Sequence, residues 1–268
     1  MDNILGLQFF QNALYASVLS AVVCGIVGAY IVVRRIVFVS GGITHASFGG
    51  LGLGLYLGIN PLLTAGITAI LAALGIGHLG RFANMREDSA IASVWALGMA
   101  LGVLFMSLTP GYTAGLSSYL FGNILLVSRA DLWALLLLAL CLVATFTLGY
   151  RQILYCTFDP DFAKTKGLPV GLIHLALLVL VSIAMVLSIR LVGIMLLMSL
   201  LTLPQTIMGL FTSRFSYIML GSVALCLVAN VLGLFLSTYW LSIPTGVMIV
   251  LLLFVMLGLA RLVKALGL

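Results

Sequence analysis

Apolar runs about 20 residues long make up most of this chain, the length a helix needs to cross the hydrocarbon of a bilayer. They fall at 9–33, 43–59, 62–80, 89–109, 131–150, 170–189, 191–210, 217–238 and 243–262. The pattern predicts an all-α, polytopic transmembrane bundle of about nine spans, with eight to ten as the range. It is not the alternating pattern of about ten residues that marks an outer-membrane barrel. A soluble reading fails on composition. Of 268 residues 63% are hydrophobic and only 7% are charged, where a soluble domain carries roughly 25% charged residues. No linker, low-complexity tract or repeat interrupts the series, so residues 1–268 read as one integral membrane domain.

The charges that remain report orientation. A net charge of +6 on such a chain is a topology signal rather than a sign of nucleic-acid binding. If Arg34 and Arg35 are cytoplasmic, alternation places Arg81, Arg86, Arg151, Lys164, Lys166, Arg214, Arg261 and Lys264 on the same side. Only Arg129 and Arg190 fall elsewhere, so ten of the twelve basic residues agree. The N-terminus is then outside and the C-terminus in the cytoplasm. The stretch 110–130 is too polar at its start for a clean span, and reads as an outer loop with an interfacial or re-entrant helix. The four cysteines have no metal-ligand spacing and read as small packing residues.

The most polar dozen residues, FDPDFAKTKGLP at 158–169, must lie in water, and the topology puts them in the cytoplasm. Their local order is that of a short helix. Asp159 suits the N-cap, Pro160 the first helical position and Asp161 the positive end of the dipole. Lys164 and Lys166 suit the negative end, and Gly167 with Pro169 forms a stop. A capped helix at the membrane surface is a handle for a soluble partner. The plainer reading is a hydrophilic loop with tidy ends.

Within the spans, His45 is the candidate for chemistry. An ionisable side chain in hydrocarbon is costly unless it is used or paired, and imidazole suits borderline transition metals. Thr44 and Ser40 offer weak oxygen ligands or simply bond to their own helix. His78 and His174 read as interfacial. Gly50, Gly54 and Gly58 repeat at four-residue spacing, as do Gly98 and Gly102, which suits close helix packing. Pro204 predicts a kink. Glu87 and Asp88 suit the start of a helix.

There is no GxxxxGK[ST], so this chain does not cradle nucleotide phosphates in a P-loop. There is no HExxH and no GxSxG. No pair of carboxylates lies within the spans. An intramembrane enzyme and a proton-coupled carrier are both weakened by these absences.

Four stretches, in order, resemble the permease subunits of bacterial ABC importers for zinc, manganese or iron. They are RRIVFVSGGITHASFGGLGLGLYLG, EDSAIASVWALGMALGVLFMSL, LSSYLFGNILLVSRADL and LYCTFDPDFAKTKGLPV; RLVGIMLLMSLLTLPQTI is also similar. The resemblance implies a transport subunit of the bacterial cytoplasmic membrane with no catalysis and no cofactor of its own. Two copies would form the channel, as a homodimer. A cytosolic ATP-binding subunit would grip Phe158, Asp159, Pro160, Asp161, Lys164, Lys166 and Gly167 and supply the ATP hydrolysis. An extracytoplasmic metal-binding protein would deliver the ion. His45 would be the metal transit residue. One position departs from the family core, which carries Asp four residues before its His; here that position is Gly41. Import of a metal chelate by the same architecture, or an ATP-independent channel or carrier, are the alternatives.

Overall fold

The computed structural model of the chain describes residues 7–82, 86–109, 122, 124, 127–239 and 243–267, without the side chains at 77–82, 87 and 190. The 110–130 stretch lies almost wholly outside these residues. Among the described residues there is no strand; the regular elements are helices. Contacts divide the chain into two compact units. One comprises Met1–Arg35, Gly115–Val143 and Leu187–Leu268, the other Ile36–Ala114 and Ala144–Val186.

The first unit is built around α1 (Gln8–Val33). An apolar stretch buries 72% of its residues in α1, against 22% in α12 (Thr245–Ala265). A helix apolar on every side belongs in the middle of its unit. Small residues make that possible: Gly25 lies so close to Val223 of α11 (Phe215–Tyr239) that a Cβ would stand 2.7 Å from the Val223 Cα. Buried amides tie the same helices. Asn230 donates to the Ser17 carbonyl and to Ser20 Oγ, each at 3.0 Å.

The predicted kink at Pro204 is a full break. The run 191–210 forms two short helices, α9 (Ile194–Leu200) and α10 (Leu203–Phe211), with Pro204 in the first turn of the second. Proline has no N–H to give the carbonyl four residues back. That carbonyl, on Leu200, instead accepts from Gln205 Nε2 at 3.2 Å and faces Cys226 Sγ at 3.7 Å. Gln205 Nε2 also reaches the Cys24 carbonyl at 3.2 Å. The break is therefore satisfied from inside the unit.

The second unit holds α2 (Val37–Leu57), α3 (Pro61–Phe82), α4 (Glu87–Leu108), α6 (Tyr150–Phe158) and α7 (Pro160–Thr165). Helices α5 (Arg129–Leu148) and α8 (Val170–Val192) each begin in one unit and end in the other. The chain enters the second unit through Arg35, which sits at φ 59°, in the left-handed region that few residues other than glycine adopt.

All nine apolar runs are helical, but the count of nine spans is not reached. Seven helices among the described residues are long and apolar enough to cross a membrane. These are α1, α4, α5, α8, the combined α9–α10 stretch, α11 and α12. Helix α2 is not among them, and of α3 only Pro61–Ile76, the part whose side chains are described, enters the comparison. Glycine adds almost no hydropathy, and α2 carries glycines at six positions between 41 and 54 together with His45 and three hydroxyl residues.

Gly58 ends α2. It is the C-cap at φ 68°, in the left-handed conformation, with nothing within 4 Å of where its Cβ would be. Substituting Gly58→Ala introduces backbone strain of about 1 kcal/mol and no clash. A thermal melt in detergent is expected to show a small drop in midpoint with assembly intact, and an unchanged or raised midpoint contradicts this.

Candidate functional site

His45 lies on α2, half-buried, between two side chains of α4. Its ring stacks on Trp95 with centroids 4.1 Å apart and an interplanar angle of 12°. Its Nδ1 meets Met99 Sδ at 3.1 Å. Trp95 and Met99 are one helical turn apart, so they flank the imidazole from one face of α4. Gly98 and Gly102 share that face. A Cβ on Gly98 would stand 2.6 Å from the His45 carbonyl oxygen, and one on Gly102 3.0 Å from that of Phe48. From the other side, Gly49 and Gly52 of α2 meet Gly98 and Gly102, whose carbonyl oxygens would be 2.9 Å and 2.6 Å from added Cβ atoms. The two backbones touch, and that approach sets His45 against Trp95 and Met99.

The two glycine series divide differently from their spacing. Gly50 and Gly54 pack on α3: a Cβ on Gly50 would be 2.6 Å from the Thr64 carbonyl oxygen, and one on Gly54 2.7 Å from the Pro61 Cα. Gly58, at the helix end, faces open space. Gly98 and Gly102 face Gly49 and Gly52, which sequence reasoning did not single out. The signal for Trp95 and Met99 was present, because positions 95, 98, 99 and 102 fall on one face at helical spacing.

Position 41, one turn before His45, is a buried glycine. The hydroxyls nearby are occupied locally. Thr44 donates to the Ser40 carbonyl at 2.8 Å, and Ser40 to that of Val37 at 2.6 Å. Thr44 Oγ1 also lies 3.7 Å from Met185 Sδ. Among the described residues no group of three or more His, Cys, Asp or Glu side chains gathers as a metal site. Asp88 is exposed and, with Phe38, Ile91 and Trp95, lines a cavity of about 350 Å³ beside the histidine's partner ring. The side chains of His78 and Glu87 lie outside the described residues.

The polar segment forms α7, with both ends capped. Asp159 Oδ1 accepts from the Phe162 N–H at 2.9 Å, and Pro160 begins the helix. At the other end Gly167 adopts φ 73°. Its N–H donates to the Lys164 carbonyl at 2.9 Å, and the Leu168 N–H to that of Ala163 at 3.1 Å. Those two bonds are the paired closure of a glycine-stopped helix. Lys164 Nζ contacts Asp161 Oδ1 at 2.9 Å, an exposed pair that contributes little to stability. Tyr155 of α6 packs edge-on against Phe162 at 5.3 Å, Lys166 Nζ lies 5.5 Å over the same ring, and Ala163 is fully buried. Phe158 and Phe162 remain exposed, at 59% and 41%. The result is a short hydrophilic helix capped at both ends, with Phe162 on it and Phe158 at the end of α6 both exposed.

Residues 6–264 match the ABC 3 transport family. An uncharacterized membrane protein of Synechocystis is 38% identical over 94% of this chain and 89% of its own length. The manganese transport system membrane protein MntC of Halalkalibacterium halodurans is 32% identical over 93% and 85%. A probable metal transport system membrane protein of Chlamydia trachomatis is 36% identical over 92% and 87%. Among solved structures, PsaBC from Streptococcus pneumoniae in complex with Fab superposes with a TM-score of 0.87 at 27% identity, covering 97% of this chain and 93% of that one.

Proposed function

The chain belongs to the ABC 3 transport family of multi-pass membrane permeases, and from that premise we propose that it is the channel-forming subunit of an importer carrying manganese or a related divalent transition metal across the bacterial cytoplasmic membrane. The cargo rests on relatives that bear manganese in their names. The energy source is a separate cytosolic ATPase, because the sequence has no P-loop of its own. An extracytoplasmic metal-binding protein presents the ion. Two copies of the chain, each a single permease domain with its N-terminus outside, enclose the pathway.

The observation that carries the coupling is α7. It is capped at both ends, exposed, and buttressed by Tyr155 on Phe162. A helix that keeps its shape transmits a push, whereas a slack loop absorbs it. Motion of the ATPase pair thus reaches the spans through Asp159–Gly167, with Phe158 and Phe162 as the contact side chains.

His45 is the transit ligand. Nδ1 is engaged by Met99, which leaves Nε2 for the ion. One imidazole is a weak site, and two copies of the chain supply two. Gly41 adds no carboxylate, so ions are held briefly, a useful property in a pathway. His45→Ala is expected to lower manganese uptake about tenfold, equivalent to ~1.4 kcal/mol on the passage barrier, while the complex still assembles. Gly41→Asp is expected to slow release and retain the metal in the purified complex. Unaltered uptake in His45→Ala would assign the ring to packing between Trp95 and Met99 alone.

A further inference from the structure

We propose that the groove between the first turns of α1 and α5, within the first unit, is a binding site for a phospholipid, with Arg129 holding its phosphodiester and the acyl chain lying along the groove floor. The cavity measures about 690 Å³. Its lining positions fall on single faces: 8, 11, 12, 15, 18 and 19 of α1 against 129, 132, 133 and 136 of α5. That spacing is the stripe a helix offers to one neighbour.

Polarity is graded along the groove. At the helix starts stand Gln8, Asn12 and Arg129; two to three turns in stand Val18, Leu19 and Leu136. Tyr15 and Trp133 sit between, 60% and 65% exposed. Amphipathic aromatic side chains at that level mark the boundary between headgroups and hydrocarbon. The gradient from charged to aromatic to aliphatic is that of a phospholipid. A second protein surface would not require it.

Charge favours the same occupant. Among the described residues no acidic side chain lines the groove. The nearby carboxylate, Asp131, is turned to its own helix start, where it accepts from Ser128 Oγ at 2.6 Å and from the Ser128 N–H at 3.2 Å. Gln8 steadies the guanidinium: with its amide oriented to satisfy both groups, its oxygen accepts from Arg129 Nε at 3.1 Å and from Nη2. Arg has five N–H donors, so this neutral clamp leaves others for phosphate oxygens. The N-terminal ends of both helices add positive potential there. Arg129 was one of two basic residues that the charge topology left on the wrong side, and a lipid phosphate gives it a partner.

The test uses the full chain with its partner subunits in nanodiscs, with Trp95→Phe and Trp240→Phe leaving Trp133 as this chain's only tryptophan and the signal of the same complex carrying Trp133→Phe subtracted as the partners' contribution. Brominated phosphatidylglycerol is titrated into unbrominated phosphatidylcholine, and Trp133 quenching is read. Saturation at a low mole fraction is expected. Arg129→Gln should raise the half-saturating fraction roughly tenfold, Arg129→Lys should restore part of it, and Leu136→Trp should be read by retained lipid, with the filled groove holding less. Quenching that rises in simple proportion to mole fraction and is equal in Arg129→Gln overturns the proposal, because it reports bulk lipid. So does a Trp133 that no bromolipid reaches, which points to a second copy of the chain covering the face. None of these readouts depends on transport, so the site stands or falls apart from the permease reading.

Discussion

Cells whose only copy of this chain carries Asp159→Ala together with Gly167→Val are expected to import no more metal than cells lacking it, although the protein reaches the membrane. Loss of the Asp159 cap removes about 1 kcal/mol. Valine at φ 73° adds about 1–2 kcal/mol of left-handed strain. Helix α7 has six residues, too few to hold a helix without its caps and tertiary contacts. Neither substitution touches the apolar spans, so insertion and folding of the rest proceed. Uptake of radioactive manganese, read beside the amount of chain in the membrane, makes the comparison. Uptake near the unmodified level would mean that the segment's shape is irrelevant to transport.

The second large effect falls on the α2–α4 contact. Gly98→Leu is expected to destabilise the folded chain by at least about 3 kcal/mol, above the usual penalty for overpacking. The added Cβ meets backbone rather than a movable side chain: the Ala46 Cα at 2.5 Å and the His45 carbonyl oxygen at 2.6 Å. Helix α2 has to retreat, and the His45–Trp95 stack separates with it. The control is Gly66→Ala on α3, where nothing lies within 4 Å of the new methyl group. There a gain of about 0.5 kcal/mol is expected from the reduced freedom of the unfolded chain. Thermal melts in detergent distinguish the pair. Equal midpoints would show that α2 and α4 are not in backbone contact.

What could be read in advance follows the range of the forces involved. The capped helix at 159–167 was legible because N-cap, Pro at the first position and Gly stop act within four residues. The apolar runs were legible as helices because a bilayer leaves the backbone no other open option. Glycine pairing was not. Gly49 and Gly52 sit beside Gly50 and Gly54 on a single helix, and spacing alone does not say which row faces α3 and which α4. Met99 meets His45 across 54 residues of chain, a distance over which only the tertiary fold decides. Pro204 announced a disturbance, but its severity depended on Gln205 and on Cys226, 26 residues from the carbonyl it faces. Seven helices among the described residues are long and apolar enough to cross a membrane, and α2 falls short of that because its glycines and His45 dilute its hydropathy.

On the proposed function, α7 protrudes into the cytoplasm and is held there by an ATPase. A single reporter addresses it: Asp161→Cys, in a chain whose exposed Cys141 is replaced by alanine, labelled with a membrane-impermeant maleimide. No labelling is expected in intact cells, with labelling in inside-out vesicles and protection there when the co-expressed ATP-binding subunit is present. Labelling of position 161 from outside intact cells would contradict it.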